Sequence, residues 1–158
     1  MIGLDTNILV RYVTADDLEQ WQLAAALIEA EGQSCFLSNI VLCELVWVLR
    51  GKPYQFTRLQ ISEVLETMLA TPVMEFENRS AVYQALQRAK SVGIISSSDE
   101  LRMKGGKADF SDYLIGAIAH QVQCSTTYSF DRKLIGEKGF QYPRTSDNTT
   151  IGSDRAES

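Results

Sequence analysis

Apolar runs of strand length alternate with helix-length segments along this chain, and no other feature constrains its fold as strongly. Residues 1–5 read as a short buried strand ending on Asp5. The segment from Asp16 or Asp17 to Glu31 reads as a helix, with either Asp as N-cap, Leu23, Ala24, Leu27 and Ile28 at helical spacing, and Gly32 as the stop. "SCFLS" at 34–38 is a second strand, after which Asn39 caps a helix running to Gly51. Thr57 caps the next helix, which Pro72 follows. "VMEF" at 73–76 is a third strand, and a helix through "SAVYQALQRAK" comes next. Beyond it, "DFSDYLIGAIAHQV" is helical, "CSTTYSF" a strand, "DRKLIGEKG" a short helix, and "FQYP" the site of a last strand. Strands in alternation with helices imply an α/β domain, a parallel sheet covered on both faces.

Two stretches fall outside this alternation. "SSSDELRMKGGK" at 96–107 is polar and contains glycines, a loop with room for a helical turn. From Thr145 onward the chain has almost no apolar residues, which makes a disordered tail the expectation. One domain over 1–144 with a tail at 145–158 is therefore expected. A chain of 158 residues is long enough to bury about 68–70% of its unfolded surface.

Composition narrows the classes further. Hydrophobic residues at 45% and charged ones at 22% match a soluble globular protein. No apolar stretch approaches the roughly 20 residues that span a bilayer, and no signal peptide is visible, so the cytoplasm is expected and no membrane partner. The net charge of −5 argues against coating nucleic acid through bulk electrostatics but leaves room for an enzyme that holds it locally. Cys35, Cys43 and Cys124 are odd in number and lack any CxxC pair. They read as buried thiols rather than a disulfide or zinc site.

The acids sit where a core-building sequence has little use for them. Parallel sheets place ligand sites at the carboxyl ends of their strands. Asp5 ends the first strand and Asp131 follows "STTYSF", which puts both at one sheet edge if that order holds, although either can equally be a helix N-cap. Glu44 lies at the margin of the apolar arc formed by Val41, Leu42, Leu45, Val46 and Leu49. A glutamate there either reaches water or has a partner. Asp109 and Asp112 share a face in the first turn of a helix, with Asp109 as cap and Asp112 as its N3 companion; Asp112 also lines up with Ile115 and Ala119, on what reads as the packed side. If Asp5, Glu44, Asp112 and Asp131 converge, with Asp109 close by, they cannot all stay ionised without a cation. Oxygen ligands without His or Cys suit Mg²⁺ or Mn²⁺, and such an ion implies phosphodiester hydrolysis by an activated water.

"LDTNILVRY", Glu44 within an apolar helix, "KADFSDYLIGAIA" at 107–119 and "SFDRKL" at 129–134 together resemble the PIN-domain ribonucleases, and more narrowly the VapC-type toxins of toxin–antitoxin pairs. The likeness spans most of residues 1–143. It implies a three-layer α/β/α sandwich with a mainly parallel central sheet, and Mg²⁺- or Mn²⁺-dependent cleavage of RNA. Asp5, Glu44, Asp112 and Asp131 then match the metal-binding and catalytic acids, while Asp109, Asn7 and Ser129 match secondary positions. A homodimer and inhibition by a small cognate antitoxin are also implied. The stretch 93–107 is longer than usual for that family, and the tail past Thr145 has no counterpart in it.

Competing chemistries fit less well. The single His120 has no local nucleophile motif, and "KGGK" at 104–107 follows no strand. An aspartyl phosphatase needs a second acid where Asn7 stands. Arg102, Lys104 and Lys107 before Asp109, and Arg132 and Lys133 after Asp131, read either as solvated charges or as RNA-backbone contacts. The non-enzyme alternative is a PIN-like module that binds RNA or protein.

Overall fold

A computed structural model describes residues 1–96 and 108–143. Three strands, β1 (Ile2–Gly3), β2 (Cys35–Leu37) and β3 (Met74–Phe76), form a parallel sheet in that order, with Ile2 opposite Cys35 and Leu37 opposite Phe76. Two more, β4 (Thr127–Tyr128) and β5 (Phe140–Gln141), form a second parallel pair. Among the described residues six α-helices accompany them: α1 (Thr6–Thr14), α2 (Leu18–Ile28), α3 (Asn39–Arg50), α4 (Arg58–Ala70), α5 (Arg79–Ser96) and α6 (Phe110–Gln121). The α/β class and the parallel pairing are those expected from the sequence.

The core explains the order. Leu42, Leu45 and Leu49 of α3 are fully buried, as are Leu37 of β2, Leu65 of α4 and Leu86 of α5. Each helix thus contributes an apolar stripe at turns of three and four residues. Caps fix the helix starts: the Asp17 side chain accepts from Gln20 N–H, and Thr57 and Gln60 close a reciprocal capping box.

Four local expectations change. Residues 6–14, for which the sequence suggests no element, form α1, which buries Thr6, Leu9 and Val10; the first strand is correspondingly cut to two residues. At α3 the cap is Ser38, whose Oγ accepts from Val41 N–H at 3.2 Å, and Asn39 is already helical. Cys35 is buried, but Cys43 is only partly so and Cys124 is exposed, because it follows the end of α6 among polar neighbours. On α6 the buried residues are Phe110, Tyr113 and Leu114, while Ile115 is exposed, so Asp112 stands at the edge of the packed stripe rather than within it. The segment 97–107 and the tail from 145 lie outside the described residues.

Candidate active site

β1 delivers the chain to the head of α1 at Asp5. The backbone of Asp5 is extended, as an N-cap requires, yet its carboxylate accepts no capping bond from the helix. Its oxygen instead lies 3.4 Å from the Asn7 side-chain amide, and the residue is exposed. The capping explanation for this acid is therefore not met. Next to it, Thr6 is buried, 6% exposed, and its hydroxyl donates to Glu44 Oε2 at 2.6 Å. Glu44 thus has a partner, and α3 presents it to the chain beside Asp5.

A second acidic group forms at the head of α6. Asp109 Oδ1 accepts from the N–H groups of Ser111 and Asp112, and Asp112 Oδ2 accepts the Asp109 N–H at 2.9 Å, closing a capping box made of two acids. Arg50, last residue of α3, donates to Asp109 Oδ2 at 2.8 Å and so links the two helices. Asp112 is partly buried, and that burial pushes its carboxyl up. The Asp109 N–H pulls it back, the charges of Asp109 and Asp131 push it up further, and Lys133 opposes them.

Asp131 reaches this neighbourhood through the β4–β5 pair. Gly116 of α6 leaves room for the Phe140 ring of β5; a Cβ there would stand 2.9 Å from Phe140 Cε2. With Phe140 seated on α6, the turn after β4 comes close enough for Asp131 to act electrostatically on Asp112. The Asp131 N–H donates to Ser129 Oγ at 3.0 Å, and Asp131 Oδ1 accepts from Lys133 N–H at 2.9 Å. The expected helix after β4 is only a 3₁₀ turn, Arg132–Leu134, and Asp131 does cap it.

Thr6 thus ties Glu44 to the chain beside Asp5, while Asp112 feels the charges of Asp109 and Asp131. Among the described residues no three Asp, Glu, His or Cys side chains stand close enough to hold one metal ion. The donor chemistry nevertheless fits a hard cation: all are carboxylates, and Asp112 stands under the like charges of Asp109 and Asp131. Arg132 is exposed, whereas Lys104 and Lys107 lie outside the described residues. Thr6 and Arg50 were not singled out in the sequence, although each adjoins a marked feature, Asp5 and the end of α3.

The PIN domain family model matches residues 2–137, a span that holds β1, all six helices and all four acids. The chain belongs to the PIN domain family. Its three-layer α/β/α arrangement and parallel sheet are those of a PIN domain, a fold associated with nuclease-type function and typically with divalent metal ions. No match was found among curated proteins or among solved structures. No helix of this PIN domain, among the described residues, is long and apolar enough to cross a membrane.

Proposed function

We propose that this PIN domain is a metal-dependent endoribonuclease of the VapC toxin type, in which Asp5, Glu44, Asp112 and Asp131 hold Mg²⁺ or Mn²⁺. Asp112 carries the reading. A partly buried carboxyl pressed by two like charges is a poor structural choice and a common functional one. When bound, a divalent cation supplies Lewis acidity toward a phosphate oxygen and makes a water easier to ionise.

The chain's own groups have separable tasks. Thr6 holds Glu44 Oε2, and the Asp109 N–H holds Asp112 Oδ2. Among the described residues the other Asp112 oxygen receives no hydrogen bond, and it would be the one available to hold the cation. Asn7 steadies Asp5, and Ser129 steadies the turn bearing Asp131. Arg132, Lys104 and Lys107 are assigned to the RNA backbone, on the strength of their positions beside the acids.

The proposed partners are RNA, a cognate antitoxin and a second copy of the chain, in the cytoplasm. Exposed Leu18, Leu23, Ile40 and Trp47 on α2 and α3 are compatible with protein partners. That no three acids among the described residues are placed to hold one ion favours a second reading, a PIN-fold module that binds RNA or protein without cutting. Incubation of purified protein with RNA, with and without EDTA, separates them. Metal-dependent cutting that vanishes in Asp5→Asn and Asp112→Asn supports the nuclease; undiminished cutting in both variants marks contamination, and binding without cutting supports the module.

A further inference from the structure

The strand that leads to Asp131 ends in aromatic rings directed at solvent. Thr127, Tyr128, Ser129 and Phe130 alternate between partly covered and exposed, as an extended chain does. Tyr128 is 52% exposed and Phe130 74%. Tyr142, just past β5, comes from the neighbouring strand and meets Phe130 edge-on, ring centroids 5.5 Å apart and planes at 83°. In such an edge-to-face pair Tyr142 can take at most one face of the Phe130 ring, and the ring's exposure leaves the other open to solvent. A single exposed ring means little. Here the ring adjoins Asp131, and Arg132 and Lys133 follow on the exposed turn.

We infer that Phe130, braced by Tyr142, is a stacking platform for one unpaired base of the strand whose phosphate lies at the acids. An aromatic face bordered by cations is how proteins grip single-stranded nucleic acid, because every base offers a π-face and every linkage a phosphate. A paired base keeps its faces inside a duplex and cannot use the platform. The inference rests on the nuclease reading for the position of the phosphate and adds to it the residue that holds the neighbouring base.

The test is equilibrium binding of a short fluorescein-labelled RNA, single-stranded and as a duplex, by anisotropy in EDTA so that no cutting occurs. The single strand is expected to bind tighter. Phe130→Ala and Phe130→Leu should each weaken it by about 5- to 150-fold with an unchanged salt dependence, while Phe130→Trp retains affinity. With 2-aminopurine in the strand, the fluorescence change on binding should be lost in Phe130→Leu. Because the ring is largely exposed, the variants are expected to fold, which circular dichroism checks. Wild-type affinity in Phe130→Leu overturns the platform, and so does a Phe130→Ala variant that binds RNA normally but loses self-association. If the wild type binds through Phe130 yet cuts nothing with Mg²⁺ or Mn²⁺, the nuclease reading alone fails. If it cuts while Phe130→Ala binds normally, the platform alone fails. A wild type that binds no RNA in EDTA sinks the platform, and one that also cuts none with Mg²⁺ or Mn²⁺ sinks the nuclease reading with it.

Discussion

The Thr6 hydroxyl donates a 2.6 Å hydrogen bond to Glu44 Oε2, tying the first turn of α1 to the middle of α3. Replacing Thr6 by Val removes the donor but keeps the branched shape. Glu44 is exposed and can turn to water, so the cost to stability should be about 1 kcal/mol. Activity should suffer more, by about tenfold or greater, because a loss of roughly 1.4 kcal/mol in the transition state already gives that factor. Thr6→Ser, which keeps the hydroxyl, should cut RNA nearly as fast as the wild type. Urea unfolding and cleavage rates measured side by side decide this; a Thr6→Val protein with undiminished cleavage leaves the bond structural only.

Asp112 gives a pH prediction of the opposite sign to most acids. Its carboxyl is raised chiefly by burial, then by the charges of Asp109 and Asp131. A carboxyl whose affinity for protons is higher in the folded chain stabilises the fold below its unfolded value and loses that contribution as pH rises through the folded one. Metal-free Asp112→Asn should therefore unfold at higher urea than the wild type at pH 7, with the gap closing near pH 3 where both forms are neutral. A variant less stable than the wild type at pH 7 would show that the Asp109 N–H bond outweighs burial and repulsion.

Much of this arrangement was legible in the sequence because Asp5, Asp109, Asp112 and Asp131 fall at element boundaries. Asp109 and Asp112 announce a capped helix, and Asp131 the end of a strand, though the helix expected after it is only a 3₁₀ turn. Two features were hidden for physical reasons. "DTN" after an apolar run suggests no element by itself, and only burial of Thr6, Leu9 and Val10 shows that it opens a helix. α6 is apolar nearly all round, so periodicity could not choose between the stripe of Tyr113 and that of Ile115; packing chose Tyr113. The link from Gly116 to Phe140 joins residues distant in sequence and has no local signature.

The Arg50–Asp109 pair links α3 to α6, but both side chains are substantially exposed, at 42% and 32%. Its own contribution should be under about 1 kcal/mol. Asp109 is also the cap of α6, accepting from Ser111 and Asp112. The expected order of destabilisation is Asp109→Ala first, by about 1–2 kcal/mol, with Arg50→Ala and Asp109→Asn both smaller, since Asn caps as well as Asp. Equal losses in Asp109→Ala and Asp109→Asn would make the ion pair, not the cap, the stronger bond.

Away from the site, Asp16 predicts the acid limb of stability. Its carboxylate is held down to about 2 by the Tyr54 hydroxyl, and next by the Arg11 guanidinium, at 2.7 and 2.6 Å. An acid with a depressed folded value stabilises the fold above its unfolded value, and that contribution disappears as pH falls from about 4 toward 2. Tyr54→Phe removes the larger cause and should flatten the fall in thermal midpoint across that window. A wild-type slope in Tyr54→Phe would assign the acid limb to other groups.

Gly116 should be the least tolerant glycine of α6's environment. Alanine would gain about 1 kcal/mol in helix propensity, yet its Cβ would stand 2.9 Å from one ring carbon of Phe140 and 3.0 Å from another. Overpacking of that kind costs about 1–3 kcal/mol, so Gly116→Ala should be neutral to destabilising by about 2 kcal/mol. In a Phe140→Leu background the clash is relieved, and the same substitution should become neutral or stabilising. A double-mutant cycle followed by thermal unfolding reads the coupling. The geometry also gives the cycle a functional arm: if Phe140 on Gly116 is what holds Asp131 near Asp112, Gly116→Ala should lower RNA cleavage more than it lowers stability. Additive stabilities, with cleavage unaltered, would mean that β4 and β5 find their place on α6 without this contact.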